Sequence, residues 1–244
     1  MHFLTKIQSI IASSSLLFFM KNYLGLIFTR LSSKTSLANR SFSQYGEDLE
    51  ISSFFNESDN DGFYVDVGSN HPSKLSNTYK LYLSGMRGIC IDPNQTLLDL
   101  HAILRPEDIL VPAAIGFKPK IGKFYEMSYH ALSTFSLDEA KLMIDQGQHL
   151  IRETFKPIIP LSLIIEDCIT EFKGNFNFLS VDAEGWDEIV LRSNDWKKFR
   201  PKIIMVERNN DEVAETIGEY LSSINYVLIK VVECNAIYKD INSN

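Results

Sequence analysis

At 244 residues, with 45% of positions hydrophobic and 23% charged, the chain can bury one sizeable core. A formal charge of −7 and a pI of about 5.3 argue against a nucleic-acid partner, because gripping phosphates takes concentrated Lys and Arg. A small molecule, neutral or cationic, or a sugar suits this balance better. The three scattered cysteines, Cys90, Cys168 and Cys234, supply neither a disulfide framework nor a Cys-x-x-Cys zinc motif, and point to a reducing, cytoplasmic setting.

Residues 1–40 read as an N-terminal extension, an apolar helix and a linker, ahead of a domain over residues 41–244. Ile7–Met20 is uncharged and largely apolar, Lys21 interrupts it, and Tyr23–Phe28 follows as a second apolar patch. The uncharged run is too short for a spanning helix. Lys6 precedes it as in a signal peptide, but no small-x-small cleavage site leading into a cysteine-paired domain follows. Two readings stay open: a helix packed on its own domain or on a partner, and a helix making a peripheral membrane contact with Lys6, Lys21 and Arg30 near the headgroups. Ser32–Asn39, rich in Ser, Thr and Lys, reads as the linker.

From Asp48 onward, short β-branched runs alternate with helical stretches, the pattern of a parallel sheet covered on both faces. The clearest strands are Phe63–Val67, Gly88–Ile91, Ile109–Ala113, Asn177–Val181, Ile203–Val206 and Tyr226–Val232. Their near-continuous apolar character suits strands buried on both sides. Asn77–Ser84 reads as a short helix closed by Gly85, and Asp211–Ser223 as a longer one with Val213, Ile217, Tyr220 and Leu221 at helical spacing. Lys118–Asp167 is less orderly: an extra strand at Lys123–Met127, a helix around Leu137–Gln146 and an extended run at Pro157–Ile165, together an insertion suited to a substrate lid.

In an open parallel sheet, ligands bind beyond the carboxyl ends of the strands, so the residues that end strands are the informative ones. The first strand runs into Asp66-Val-Gly68-Ser69-Asn70, where Gly68 permits a tight turn and Asp66 can organise the loop or meet an ammonium. The second runs into Asp92-Pro93-Asn94, and a carboxylate there can accept both hydroxyls of a ribose. A dinucleotide fold would add Gly-x-Gly-x-x-Gly for the pyrophosphate, and the second and third glycines are absent. A ribose without phosphates describes S-adenosylmethionine. The plain structural alternative, a turn that merely joins strand to helix, weakens once Asp92 stands in register with Gly68.

The fourth strand ends in Asp182-Ala-Glu184-Gly185. One carboxylate could orient or deprotonate an acceptor hydroxyl, or the pair could hold a divalent metal, although no ligand cluster supports one. The competing reading is an acidic helix N-terminus, with Asp187 and Glu188 completing it. His71, directly after the glycine loop, and His130, in the lid segment, are the histidines placed to move a proton to or from an acceptor. A nucleotide-dependent oxidoreductase, and an inactive membrane-attached binding protein on the same fold, are the competing functions.

Taken together, the ordered motifs resemble those of the FkbM family of S-adenosylmethionine-dependent methyltransferases. The resemblance runs through Ser43-Gln-Tyr-Gly-Glu-Asp48, Phe63-Tyr-Val-Asp-Val-Gly-Ser-Asn-His-Pro72, Ser76-Asn-Thr78, Gly88-Ile-Cys-Ile-Asp-Pro-Asn94, Ala113-Ala-Ile-Gly116 and Asp182-Ala-Glu-Gly185, covering roughly Ser41 to Asn209. It implies a doubly wound, mostly parallel, seven-stranded Rossmann-like methyltransferase sheet with an antiparallel hairpin at its C-terminal edge. It also implies methyl transfer to oxygen, on a small-molecule or glycan acceptor such as a sugar, glycolipid or polyketide. On this resemblance Asp66, Gly68, Ser69 and Asn70 line the methionine part of the cofactor, Asp92 with Asn94 the ribose, and Ala113 and Ala114 the adenine side. Gln44 and Tyr45 close the pocket; Asp182, Glu184 and His71, placed at the strand end and after the glycine loop, are the catalytic candidates. The chain departs from the family pattern at Ser69 for Ala, Asp92 for Glu and Ser180 for Lys, the last removing a charge near the acceptor end.

Overall fold

The computed structural model describes residues 40–208 and 211–243, so the apolar helix and linker expected over residues 1–39 lie outside the described residues. In chain order the first elements are α1 (Glu47–Ser53), β1 (Phe63–Val67), α2 (Tyr79–Ser84), β2 (Arg87–Ile91), α3 (Gln95–Leu104) and β3 (Ile109–Val111). An insertion follows, built of β4 (Ala114–Ile115), β5 (Lys120–Met127), α4 (Leu137–Asp145) and β6 (Leu150–Ile159). The chain then completes the domain with α5 (Leu161–Cys168), β7 (Phe176–Val181), α6 (Asp187–Arg192), β8 (Ile203–Glu207), α7 (Asp211–Ser223), β9 (Tyr226–Val232) and β10 (Asn235–Asp240).

Seven strands form one sheet in the order β3-β2-β1-β7-β8-β10-β9. Strands β3 to β8 of this sheet pair in parallel, and β10 is antiparallel to both β8 and β9. This is the doubly wound, mostly parallel sheet with an edge hairpin that the sequence predicts. The order reverses at β1, whose next neighbour in space, β7, comes after the insertion, and such a reversal opens a crevice beyond the strand ends.

Alternation along the buried strands divides the core in two. Phe63, Val65, Val67, Leu179, Val181 and Ile204 face helices α5, α6 and α7 through Ile165, Leu191 and Leu221. Tyr64, Cys90, Phe178 and Met205 face the other way, onto Ile51 of α1 and Leu81 of α2. Each such aliphatic or aromatic side chain contributes about 1.5–3 kcal/mol by leaving water. Helix α2 stops where expected, because Gly85 takes φ 116° and its N–H reaches the carbonyls of Leu81 and Tyr82.

The insertion departs from the sequence reading in two places. The strand expected over Ile109–Ala113 is shorter: β3 ends at Val111, before Pro112, which has no N–H for a ladder, and β4 beyond it joins a second sheet of order β4-β6-β5. The run expected to be extended over Pro157–Ile165 breaks at Pro160, which caps α5, and Leu161, Ile164 and Ile165 turn one helical face into the core. The strand at Lys123–Met127 and the helix near Leu137–Gln146 are present as β5 and α4. Among the described residues no helix is long and apolar enough to cross a membrane.

Candidate active site

A cleft enclosing about 840 Å³, counting its open mouth, lies at the carboxyl ends of β1, β2 and β7, with the insertion along one side. Its lining includes Gly68, Asn70, Asp92, Asn94, Ala113, Ala114, Asp182 and Glu184, eight of the residues singled out from sequence. Ile91, Leu97, Ile115 and Phe124 supply apolar wall. Among the described residues, three carboxylates line it and neither Lys nor Arg does.

The β1 end owes its shape to Gly68. The backbone there takes φ 75°, and a Cβ would meet the carbonyl oxygen of Asp182 at 1.8 Å. The glycine thus serves the approach of β1 to β7, where the Asp182 N–H donates to the Val67 carbonyl at 3.0 Å. Asp92 closes the neighbouring turn. One carboxylate oxygen accepts the Asn70 N–H at 3.0 Å and the other the Asn94 N–H at 2.7 Å. Burial pushes the Asp92 carboxyl up to about 6 against those two stabilising amides. Asn94 also caps α3 by accepting the Thr96 N–H at 3.0 Å, and its amide donates to Nδ1 of His130 at 3.1 Å, tying the insertion to the cleft.

The glycine loop is clamped from behind by a side chain that sequence reasoning missed. Arg105 is fully buried and donates to the Pro72 carbonyl at 2.8 Å, the Thr78 hydroxyl at 2.8 Å and the Ser76 hydroxyl at 2.6 Å. Thr78 in turn donates to Asp66. Burial alone would weaken the charge on Arg105, but Tyr64, Cys90, Asp108 and Asp66 outweigh it and hold the guanidinium protonated. His101 adds a bond from its Nε2 to the Asn70 carbonyl at 3.0 Å. Asp66 is therefore a buried member of this network rather than part of the cleft wall.

At the β7 end, Asp182 and Glu184 face the cleft while Asp187 accepts the N–H groups of Ala183 and Gly185 at 3.0 and 3.2 Å. The acidic segment thus divides its work: Asp187 shapes the turn, and the other two present carboxylates. Burial, then Glu207, Glu184, Asp187 and Asp66, raise Asp182 well above the usual carboxylate range. Burial, then Glu207 and Asp187, push Glu184 up to about 7. Beside them Trp186 and Phe135 stand 6.3 Å apart between ring centroids, and Phe135 lies 4.8 Å from Phe124.

Within this geometry the family can be assigned. The family model described as "Methyltransferase FkbM domain" matches residues 66–228, about two thirds of the chain. The chain belongs to the FkbM methyltransferase family. The matched span begins later than the sequence motifs suggest and reaches into β9, so Ser43–Asp48 falls outside it. No curated protein matches the chain. Among solved structures, a Pyrococcus horikoshii protein provisionally assigned as an RNA methyltransferase shares 10% identity over 85% of this chain and 97% of its own, at a TM-score of 0.42. An O-methyltransferase from Bacillus cereus in complex with SAH shares 11% identity over 91% of this chain and 90% of its own, at a TM-score of 0.37.

Four other sequence candidates sit away from the cleft of this FkbM methyltransferase. Gln44 and Tyr45 lie on the turn into α1, with the Gln44 amide donating to the half-exposed Tyr45 hydroxyl at 2.9 Å. Ser69 is buried, its hydroxyl without a hydrogen-bond partner. Nδ1 of His71 accepts the N–H groups of Ser73 and Lys74, both at 3.1 Å. Burial, with Lys74 and Arg105 nearby, lowers the His71 imidazole to about 4, so it is neutral and orders the loop. The lining residues that sequence reasoning passed over are mainly Phe124, Ser133, Thr134, Phe135 and Trp186. Trp186 could have been found, since it follows Gly185 directly at a strand-end turn. Phe124 lies on β5 itself, and Ser133, Thr134 and Phe135 reach the cleft because the segment after β5 folds back, pairing Thr134 with Tyr125. Among the described residues no group of His, Cys, Asp and Glu is arranged to hold a metal ion.

Proposed function

We propose that this FkbM methyltransferase uses S-adenosylmethionine to methylate a hydroxyl oxygen on a sugar, glycan, glycolipid or polyketide-like acceptor. The observation that carries the reading is one cleft with Asp92 at one end and the raised carboxylates Asp182 and Glu184 at the other. The donor set fits the cofactor. Each Asp92 oxygen accepts one backbone N–H and keeps a lone pair for a ribose hydroxyl, and Ile91, Leu97, Ala113 and Ile115 offer an apolar berth for a purine. A lining that, among the described residues, carries carboxylates and neither Lys nor Arg disfavours a cofactor bearing phosphates, and with it the oxidoreductase alternative.

When bound, S-adenosylmethionine supplies a methyl group activated by its sulfonium. The protein's part is to hold the acceptor in line and to take its proton. Positioning alone can account for much of the rate of such a displacement. A carboxyl near 7 is matched to proton transfer at neutral pH, so Glu184, beside Asp182, would accept the proton of the acceptor hydroxyl. Calorimetry with S-adenosylhomocysteine, followed by a labelled-methyl screen over sugars, glycolipids and polyketides with amines as controls, tests this. No measurable affinity rejects the cofactor, and transfer confined to amines rejects the oxygen acceptor.

A further inference from the structure

Exposed apolar side chains are concentrated on the insertion. Nine of the nineteen large apolar residues exposed among the described residues fall within Phe117–Phe155. At the end of the hairpin nearest β4, Phe117, Ile121 and Phe155 are 57%, 66% and 71% exposed. The ladder sets Ile121 opposite Pro157 and Lys123 opposite Phe155. Residues opposite one another across an antiparallel pair share a face, so Ile121, Lys123 and Phe155 stand together. Lys118 and Lys120, both exposed, lie at the edge of this patch, Lys120 opposite Ile158 and so on the other face of the hairpin. The exposed carboxylate at this face is Glu153, which pairs with Lys123 at 2.9 Å. An acidic protein of charge −7 thus sets lysines at the edge of a patch made of an aliphatic and two aromatic side chains.

We infer that this surface docks the protein on an anionic lipid bilayer. Apolar side chains flanked by lysines match the two layers of such an interface: rings and methyls enter the acyl boundary while ammonium groups stay among the phosphates. A second copy of the chain fits poorly, because an isologous contact would set the same lysines against themselves. Alternation along β5 turns the neighbouring Phe124 the other way, into the cleft wall, so one hairpin serves both the bilayer and the site. The inference rests on this surface alone and stands apart from the identity of the acceptor.

Sedimentation of the full chain with vesicles of phosphatidylcholine and phosphatidylglycerol, and with phosphatidylcholine alone, tests it. We expect binding to the anionic vesicles that weakens as salt is raised. The double variant Lys118→Glu/Lys120→Glu should lower the partition coefficient by about tenfold or more. Ile121→Ser/Phe155→Ser should lower it comparably, with both variants keeping the wild-type melting temperature. Because residues 1–39 carry apolar runs of their own, wild-type binding that both variants retain overturns the inference. So does equal binding to the two vesicle types, or a failure to bind either. Self-association that Phe155→Ser abolishes, without vesicle binding, assigns the face to a second copy and likewise overturns it.

Discussion

The walls at the two ends of the cleft are held by different forces. Around Asp92, the loop from Gly68 to Thr78 is fixed by buried hydrogen bonds from Arg105 and His101 that cross the fold. Around Thr134 and Phe135, the wall belongs to an insertion whose helix α4 buries only Ala140. Networks of satisfied buried polar groups fix a single geometry, whereas thinly packed segments open at low cost. On the proposed function, the cofactor would rest against the fixed wall and the acceptor against the yielding one.

Substitution of Arg105 is the severest way to break the contrast. Arg105→Met leaves Asp108 and Asp66 buried without their cation, and removing one partner of a buried ionic group costs about 3–5 kcal/mol. The urea midpoint should fall accordingly, and S-adenosylhomocysteine affinity should fall with it. A variant as stable as wild type would show that the clamp contributes little. Next in size, Asp92→Asn, which keeps an acceptor for the turn, should cost about 1.5–3 kcal/mol of cofactor affinity, the range for hydrogen bonds to a charged group. Unchanged affinity by calorimetry would overturn the ribose assignment.

At the other end, Glu184→Gln should keep cofactor affinity and lower kcat by about a hundredfold, the lower end of general-base effects. With Glu184 near 7, wild-type kcat should rise with pH through that value, because the protonated carboxyl cannot accept the acceptor's proton. The variant should lose that limb, and a profile identical to wild type would remove Glu184 from the proton path. Asp92 predicts a smaller, separate pH effect. Its carboxyl sits near 6 against an ordinary 3.8, so its ionisation burdens the folded state: the stability present below 3.8 is lost as pH rises through about 6. Bound ribose hydroxyls favour the ionised form. Affinity for S-adenosylhomocysteine should therefore fall as pH drops below 6, by up to about tenfold per unit. A flat profile between 7 and 5 would contradict the assignment.

What the sequence discloses follows the range of the forces involved. Strands buried on both faces announce themselves through local apolar runs, and Asp92 through its distance from Gly68. Arg105 gives no such signal, since its partners Thr78 and Pro72 lie 27 and 33 positions away and nothing local distinguishes it from a solvated helix end. The Ser76-Asn-Thr78 motif was visible as a pattern, but its reason is the guanidinium it receives. Pro160 illustrates the reverse difficulty: Pro157–Ile165 is largely apolar with four isoleucines, which reads as a strand, yet beyond Pro160 its second half is a helix that turns Leu161 and Ile165 into the core.

The smallest expected effect probes the same division from its weak side. Leu142 on α4 is half exposed, so Leu142→Ser removes little buried area and should change stability by no more than about 0.5 kcal/mol. A core position on β1 behaves oppositely: Val65→Ala, at full burial, should cost about 1–3 kcal/mol through the cavity it leaves. The two melting curves, measured on the same day in the same buffer, compare insertion and sheet directly. If Leu142→Ser proves as damaging as Val65→Ala, the insertion is part of the cooperative core, and the acceptor wall is as rigid as the wall around Asp92.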